Sequence, residues 1–156
     1  MAADYSFVSR WRVPAPRERV WTELVRMLEL GGAPSWWRAV TVTERPDALG
    51  AGALVGLRVR SPLGYALRVR LVITAVEAGR LLAADGVGDL TGAGRIEIEE
   101  AEEHASVVII HWDVATTRAW MNRTAWVLRP AFERAHARVM LAGEAGLRRA
   151  LDEQRR

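Results

Sequence analysis

Three histidines supply most of the side-chain chemistry that can switch near neutral pH, and one of them stands out by position. His136 falls on an apolar stripe with Phe132, Val139, Met140, Gly143, Leu147 and Leu151, four residues after Phe132. An imidazole there has two roles open to it. It can serve a pocket as general base or as donor to a ligand carbonyl, or it can bond a buried group and pin the helix to its sheet. His111 and Asp113 form a period-two pair on one strand face, and His104 falls in a turn. Such scattered histidines lack metal-ligand spacing, so no metal site is expected. No motif calls for a cofactor.

Asp89 is an acid inside an otherwise apolar stretch, able either to face a cavity or to cap a turn. Thr116 ends a strand and, with His136 and Asp89, completes a set of candidate acid/base or hydrogen-bonding groups. No serine or threonine shows a histidine–acid pair, which leaves a hydrolytic triad unsupported. Gly86, Gly88, Gly92 and Gly94 superficially suggest a phosphate loop. They lead into a strand and lack a following Gly-Lys-Ser/Thr, so bulges and sheet curvature explain them better. Arg58 and Arg68 oppose one another if the Pro62-Leu63-Gly64 turn centres on Leu63, on a face read as solvated.

These side chains need elements to hold them. Tyr5 to Val13 alternates, with Tyr5, Phe7, Trp11 and Val13 on one side, and predicts a half-buried strand. Pro14-Ala15-Pro16 stops it, and Pro16 suits the first position of an amphipathic helix that ends at Gly31-Gly32. Pro34-Ser35-Trp36-Trp37 predicts a short turn or helix. Strands follow at 40–43, 54–60, 65–76, 81–84, 94–99 and 106–116, with Gly86-Val87-Gly88 read as a turn. Leu67, Val69 and Leu71 share an apolar face, opposite Arg68 and Arg70. In the last strand Val108, Ile110, Trp112, Val114 and Thr116 are assigned inward. His111 and Asp113 are assigned outward, which leaves Val107 and Ile109 exposed unless a second copy covers them. Trp120 to Leu128 predicts a short helix broken by Pro130. A separate helix of about 20 residues, roughly 30 Å long, then runs to the end.

Composition bounds the rest. The 156 residues fit one domain with a real core, half of them being apolar. No stretch is long and apolar enough to span a bilayer, and no secretory leader is visible, so a cytoplasmic setting is expected. Cysteine is absent. All 22 basic residues are arginine, interspersed with 19 acids, for a net charge of +3. A dense basic stripe with interleaved aromatics is missing, which argues against a nucleic-acid partner.

The order of elements resembles the helix-grip fold of the START-like (SRPBCC) superfamily. Val13-Pro14-Ala15-Pro16 followed by Val20-Trp21 and Leu24 resembles its first strand-to-helix junction, and Pro34-Ser35-Trp36-Trp37 the short helix closing the sheet's end. The stretch from Trp112 to Asn122, with His136 to Met140 and Gly143 to Leu147, is similar to polyketide cyclase/dehydrase-like members. The fold implied is α+β: a curved antiparallel sheet around a long C-terminal helix, with one or two short helices after the first strand. The resemblance also implies a cavity between sheet and helix for an apolar or aromatic ligand, lipid or polyketide-like. Its expected lining is Trp11, Trp36, Trp37 and Leu57, then Leu67, Val69 and Leu71. Ile110, Trp112 and Val114 follow from the last strand, and Phe132, His136, Val139 and Met140 from the helix. Two functions fit: a protein that binds such a molecule, or an aromatase/cyclase-type enzyme closing and dehydrating a flexible chain. A homodimer stays open.

Overall fold

The computed structural model describes residues 2–156. Strand β1 (Asp4–Val13) leads into helix α1 (Arg17–Leu28), and six strands follow: β2 (Val40–Glu44), β3 (Leu54–Arg60), β4 (Ala66–Glu77), β5 (Leu81–Gly88), β6 (Leu90–Glu102) and β7 (Ala105–Thr116). The chain ends in helix α2 (Ala119–Glu153). The strands form one antiparallel sheet in the order β1-β7-β6-β5-β4-β3-β2. β2 to β7 are thus a meander, and β1 closes back on β7 while α1 carries the chain across to the opposite edge. This is the helix-grip architecture.

Three expectations change. α2 is one helix of 35 residues, about 50 Å long, and Pro130 lies inside it. Pro130 is exposed, as is Trp126, whose carbonyl loses its helical partner, so the cost of the missing bond falls where solvent can replace it. Second, Pro34 to Trp37 is an irregular turn with no helix. Ser35 Oγ accepts from the Trp37 amide (3.2 Å) and bonds the Trp37 carbonyl (3.1 Å), a local alternative to helical bonding. Third, Gly86-Val87-Gly88 is strand, and the turn between β5 and β6 centres on Asp89.

The strand-face assignments hold in β7, with one correction. Ile109 is only 4% exposed within the single chain. Its cross-strand neighbours are Arg10 and Glu97, whose aliphatic stems flank it. Ile109 therefore needs no second copy to cover it. Arg58 does stand opposite Arg68. Counter-charge on that face is supplied at Arg70, which makes two hydrogen bonds to Glu44 (2.8 and 3.0 Å), and Glu44's carboxyl is held below its ordinary range mainly by that bond.

The core divides into clusters around the concave side of the sheet. One gathers Trp11, Val13, Val20, Ile98, Val108 and Leu147; a second joins α1 to β3, β4 and β5 through Leu24, Val55, Ile73 and Leu82. The third, at the start of α2, contains Tyr5, Val114, Met121 and Phe132. α2 makes its closest backbone approach to α1 and β1. Towards β3 and β4 it stands off, and that gap is the site.

Candidate ligand cavity

A cavity of about 260 Å³ lies between the concave sheet face and α2. Strand alternation and the stand-off of α2 create it. Every second residue of β1, β3, β4 and β7 points inward, and the helix is too far from β3 and β4 for their side chains to fill the space. All of the expected lining residues border it: Trp11, Trp36, Trp37, Leu57, Leu67, Val69, Leu71, Ile110, Trp112, Val114, Phe132, His136, Val139 and Met140. The wall is overwhelmingly apolar.

Three tryptophans build one end. Trp36 and Trp37 stack in parallel, 6.0 Å between centroids, and Trp11 meets Trp37 edge-on at 5.1 Å. Both indoles of the turn are tied down, Trp37 Nε1 donating to the Val139 carbonyl (2.7 Å) and Trp36 Nε1 to the Glu23 carbonyl (3.3 Å). Gly143 makes room for them: a Cβ there would lie 2.6 Å from Trp11 and from Trp37. A fourth indole, Trp112, lies across the sheet itself. It faces Gly94 on β6, where a Cβ would come within 2.3 Å of its ring, and it reaches Gly86 on β5. The glycines once read for curvature thus also clear a lane for a large ring.

The opposite end holds the polar groups. The His136 ring stacks on Phe7 at 3.7 Å between centroids, 11° from parallel, and Phe7 in turn stacks on Tyr5 at 5.8 Å. Among the described residues no hydrogen bond engages His136, and burial alone pushes its pKa down to about 4. The imidazole is therefore neutral at physiological pH, with one nitrogen able to donate and the other to accept. The Tyr5 hydroxyl is buried without a hydrogen-bond partner, and burial is the main cause that raises its pKa. Tyr65 packs edge-on against Trp120 and Phe132.

The other two acid/base candidates lie elsewhere. Asp89 accepts from the Arg68 amide (2.8 Å) and pairs with Arg118 (3.3 Å); it caps the β5–β6 turn and does not line the cavity. Thr116 is fully buried, but its hydroxyl accepts from the Arg118 amide (3.1 Å) and contacts Met121 Sδ (3.7 Å), fastening the start of α2. His111 and Arg95 present their side chains to the outer face, where both approach Glu97, and Asp113 accepts a hydrogen bond from Ser6. Among the described residues no cluster of acids and histidines could hold a metal ion, and no helix is long and apolar enough to cross a membrane.

Sequence reasoning passed over Tyr5, Phe7 and Tyr65 as lining groups. For Tyr5 and Phe7 the signal was present, since they share a strand face with Trp11. Tyr65 precedes β4 in the turn, where alternation says nothing.

No protein-family model matches the sequence, and no curated protein does. Solved structures do match over almost the whole chain. The Zhui aromatase/cyclase of a Streptomyces species superposes with a TM-score of 0.73 at 16% identity, covering 99% of this chain and 97% of that one. A START superfamily protein from Mycobacterium smegmatis gives 0.69 at 11% identity, over 96% and 98%. Norcoclaurine synthase of Thalictrum flavum, in complex with a transition-state analogue, gives 0.62 at 12%, over 100% and 99%. These likenesses show the helix-grip fold that these proteins share.

Proposed function

We propose that this START-like chain binds one small, uncharged, largely apolar molecule between its sheet and α2. The observation that carries the reading is the cavity itself: about 260 Å³, walled by tryptophans and aliphatic side chains, with a neutral imidazole among its few polar groups. Its volume lies just under the roughly 300–1,000 Å³ of pockets for drug-sized ligands. A two-chain lipid is too large for it, and a compact ring system fits.

Charge narrows the class further. Among the described residues Arg95 is the one arginine bordering the cavity, and its guanidinium is on the outer face with Glu97. A carboxylate drawn inside would lose its hydration without a counter-ion, at a cost of several kcal/mol. A ketone, ester or phenol avoids that cost and gives His136 a partner. Catalysis of the aldol-cyclisation type is the weaker reading. It requires an acid/base group poised near the working pH, and a histidine held at about 4 is a feeble base.

Native mass spectrometry of the recombinant protein, followed by extraction and identification of the co-purified compound, tests the proposal. Near-stoichiometric occupancy by a neutral ring-containing molecule supports it. Occupancy by a free fatty acid or another anion contradicts the class assigned.

A further inference from the structure

We infer that the outer face of the first three turns of α2 docks onto a lipid surface with anionic headgroups. Trp126 is 86% exposed and Val127 54% exposed, in a helix whose opposite face buries Met121, Ala125 and Phe132. Helical spacing aligns Trp120, Arg123 and Val127 in one row, with Trp126 beside it. Single exposed apolar residues need no explanation, but an almost bare indole adjoining further apolar side chains does. Trp120 also packs on Tyr65 at 5.2 Å, which brings the β3–β4 turn and its exposed Leu63 alongside.

Charge selects the occupant. From residue 118 to residue 132 the chain carries Arg118, Arg123 and Arg129 and no acid. Arg118 pairs with Asp89, and Arg129 lies over the Tyr5 ring at 4.6 Å. Arg123 is exposed and has no ion pair among the described residues; Arg134 continues its side of the helix, and the exposed Glu133 follows Trp126 two turns on, so arginine still outnumbers acid on this face. A second copy packed on this patch through a two-fold axis would set arginines against arginines. Headgroup phosphates neutralise the same charges, and an indole favours the boundary between acyl chains and water. Met121 and Phe132, on the inner side of these turns, line the cavity. Docking therefore places the bilayer against the helix that walls the cavity, where a membrane-dissolved apolar compound is most concentrated. Docking as such does not depend on the ligand reading.

The test is flotation of the full chain with phosphatidylcholine vesicles, alone or with roughly a third phosphatidylglycerol. The protein should float with the anionic vesicles at low salt, remain largely unbound with the neutral ones, and be released by added salt. Trp126→Ala combined with Val127→Ser should lower the partition coefficient about tenfold. Arg123→Glu should weaken binding as well, with unchanged circular dichroism and thermal unfolding, because all three positions face solvent. No flotation with anionic vesicles, or undiminished flotation of the double variant, overturns the inference. So does a wild-type dimer in light scattering that the double variant abolishes while vesicle binding is absent; a second copy is then the occupant.

Discussion

The imidazole of His136 lies flat on the ring of Phe7, with centroids 3.7 Å apart and planes 11° from parallel. The contact joins the middle of α2 to β1 and uses histidine as a thin planar surface that still carries two polar atoms. A protonated ring in that position would be desolvated with nothing to compensate it, which is why the pKa falls to about 4.

That depression has a consequence for stability. The folded-state value lies below the ordinary 6.5, so between the two the unfolded chain binds the extra proton. The contribution of His136 is complete above about pH 6.5 and is lost progressively as pH falls toward 4. Residual solvent contact screens it, leaving on the order of 1–2 kcal/mol. His136→Phe keeps a ring on Phe7 and removes the titration. Urea midpoints across this window should fall with acid more steeply for the wild type than for the variant; parallel curves would count against the buried, unpaired imidazole.

Gly94→Ala should destabilise the protein by about 1–3 kcal/mol, because the new methyl enters the ring of Trp112 and the indole must leave its place. Gly50→Ala is the control, with nothing within 4 Å of its Cβ, and should be neutral or slightly stabilising. Thermal unfolding of the two variants distinguishes them. Equal melting temperatures would mean that Trp112 does not lie across the glycine lane.

Gly143→Ala sets two effects against each other. Helix propensity favours alanine by about 1 kcal/mol, while its methyl would stand 2.6 Å from both Trp11 and Trp37. Two packed rings, one anchored through Val139, cannot both yield cheaply, so net destabilisation is expected. The near-ultraviolet circular dichroism of the tryptophan cluster should change with it. A variant more stable than the wild type would show that the helix does not approach the cluster this closely.

Much of this architecture was legible in the sequence, for reasons that can be located. Strand alternation placed Val108, Ile110, Trp112 and Val114 on the cavity side because a sheet with one wet face leaves little choice of register. The helical stripe through Phe132, His136 and Met140 worked equally well. The failures lie where tertiary structure overrides a local rule. Pro130 could not end α2, since the bond it removes is on the solvent side. Ile109 was assigned to solvent with the face of His111 and Asp113, but its cross-strand neighbours Arg10 and Glu97 decide its exposure. Asp89 and Thr116 were polar residues next to apolar runs, and only their partners, Arg68 and Arg118, reveal them as fasteners. Trp126 is of a residue type that usually packs inside, and its helical phase sends it outward.

The central claim is that the cavity takes a small neutral molecule and refuses an anion of the same shape. Titration calorimetry with 2-acetylnaphthalene and with 2-naphthoate tests it directly, using the wild type and Leu71→Trp, which places a bulky ring on the cavity wall. The ketone should bind the wild type with one-to-one stoichiometry and at least tenfold more tightly than the carboxylate, and the filled variant should lose that binding. Equal affinity for the carboxylate, or ketone binding that survives Leu71→Trp, would contradict the account.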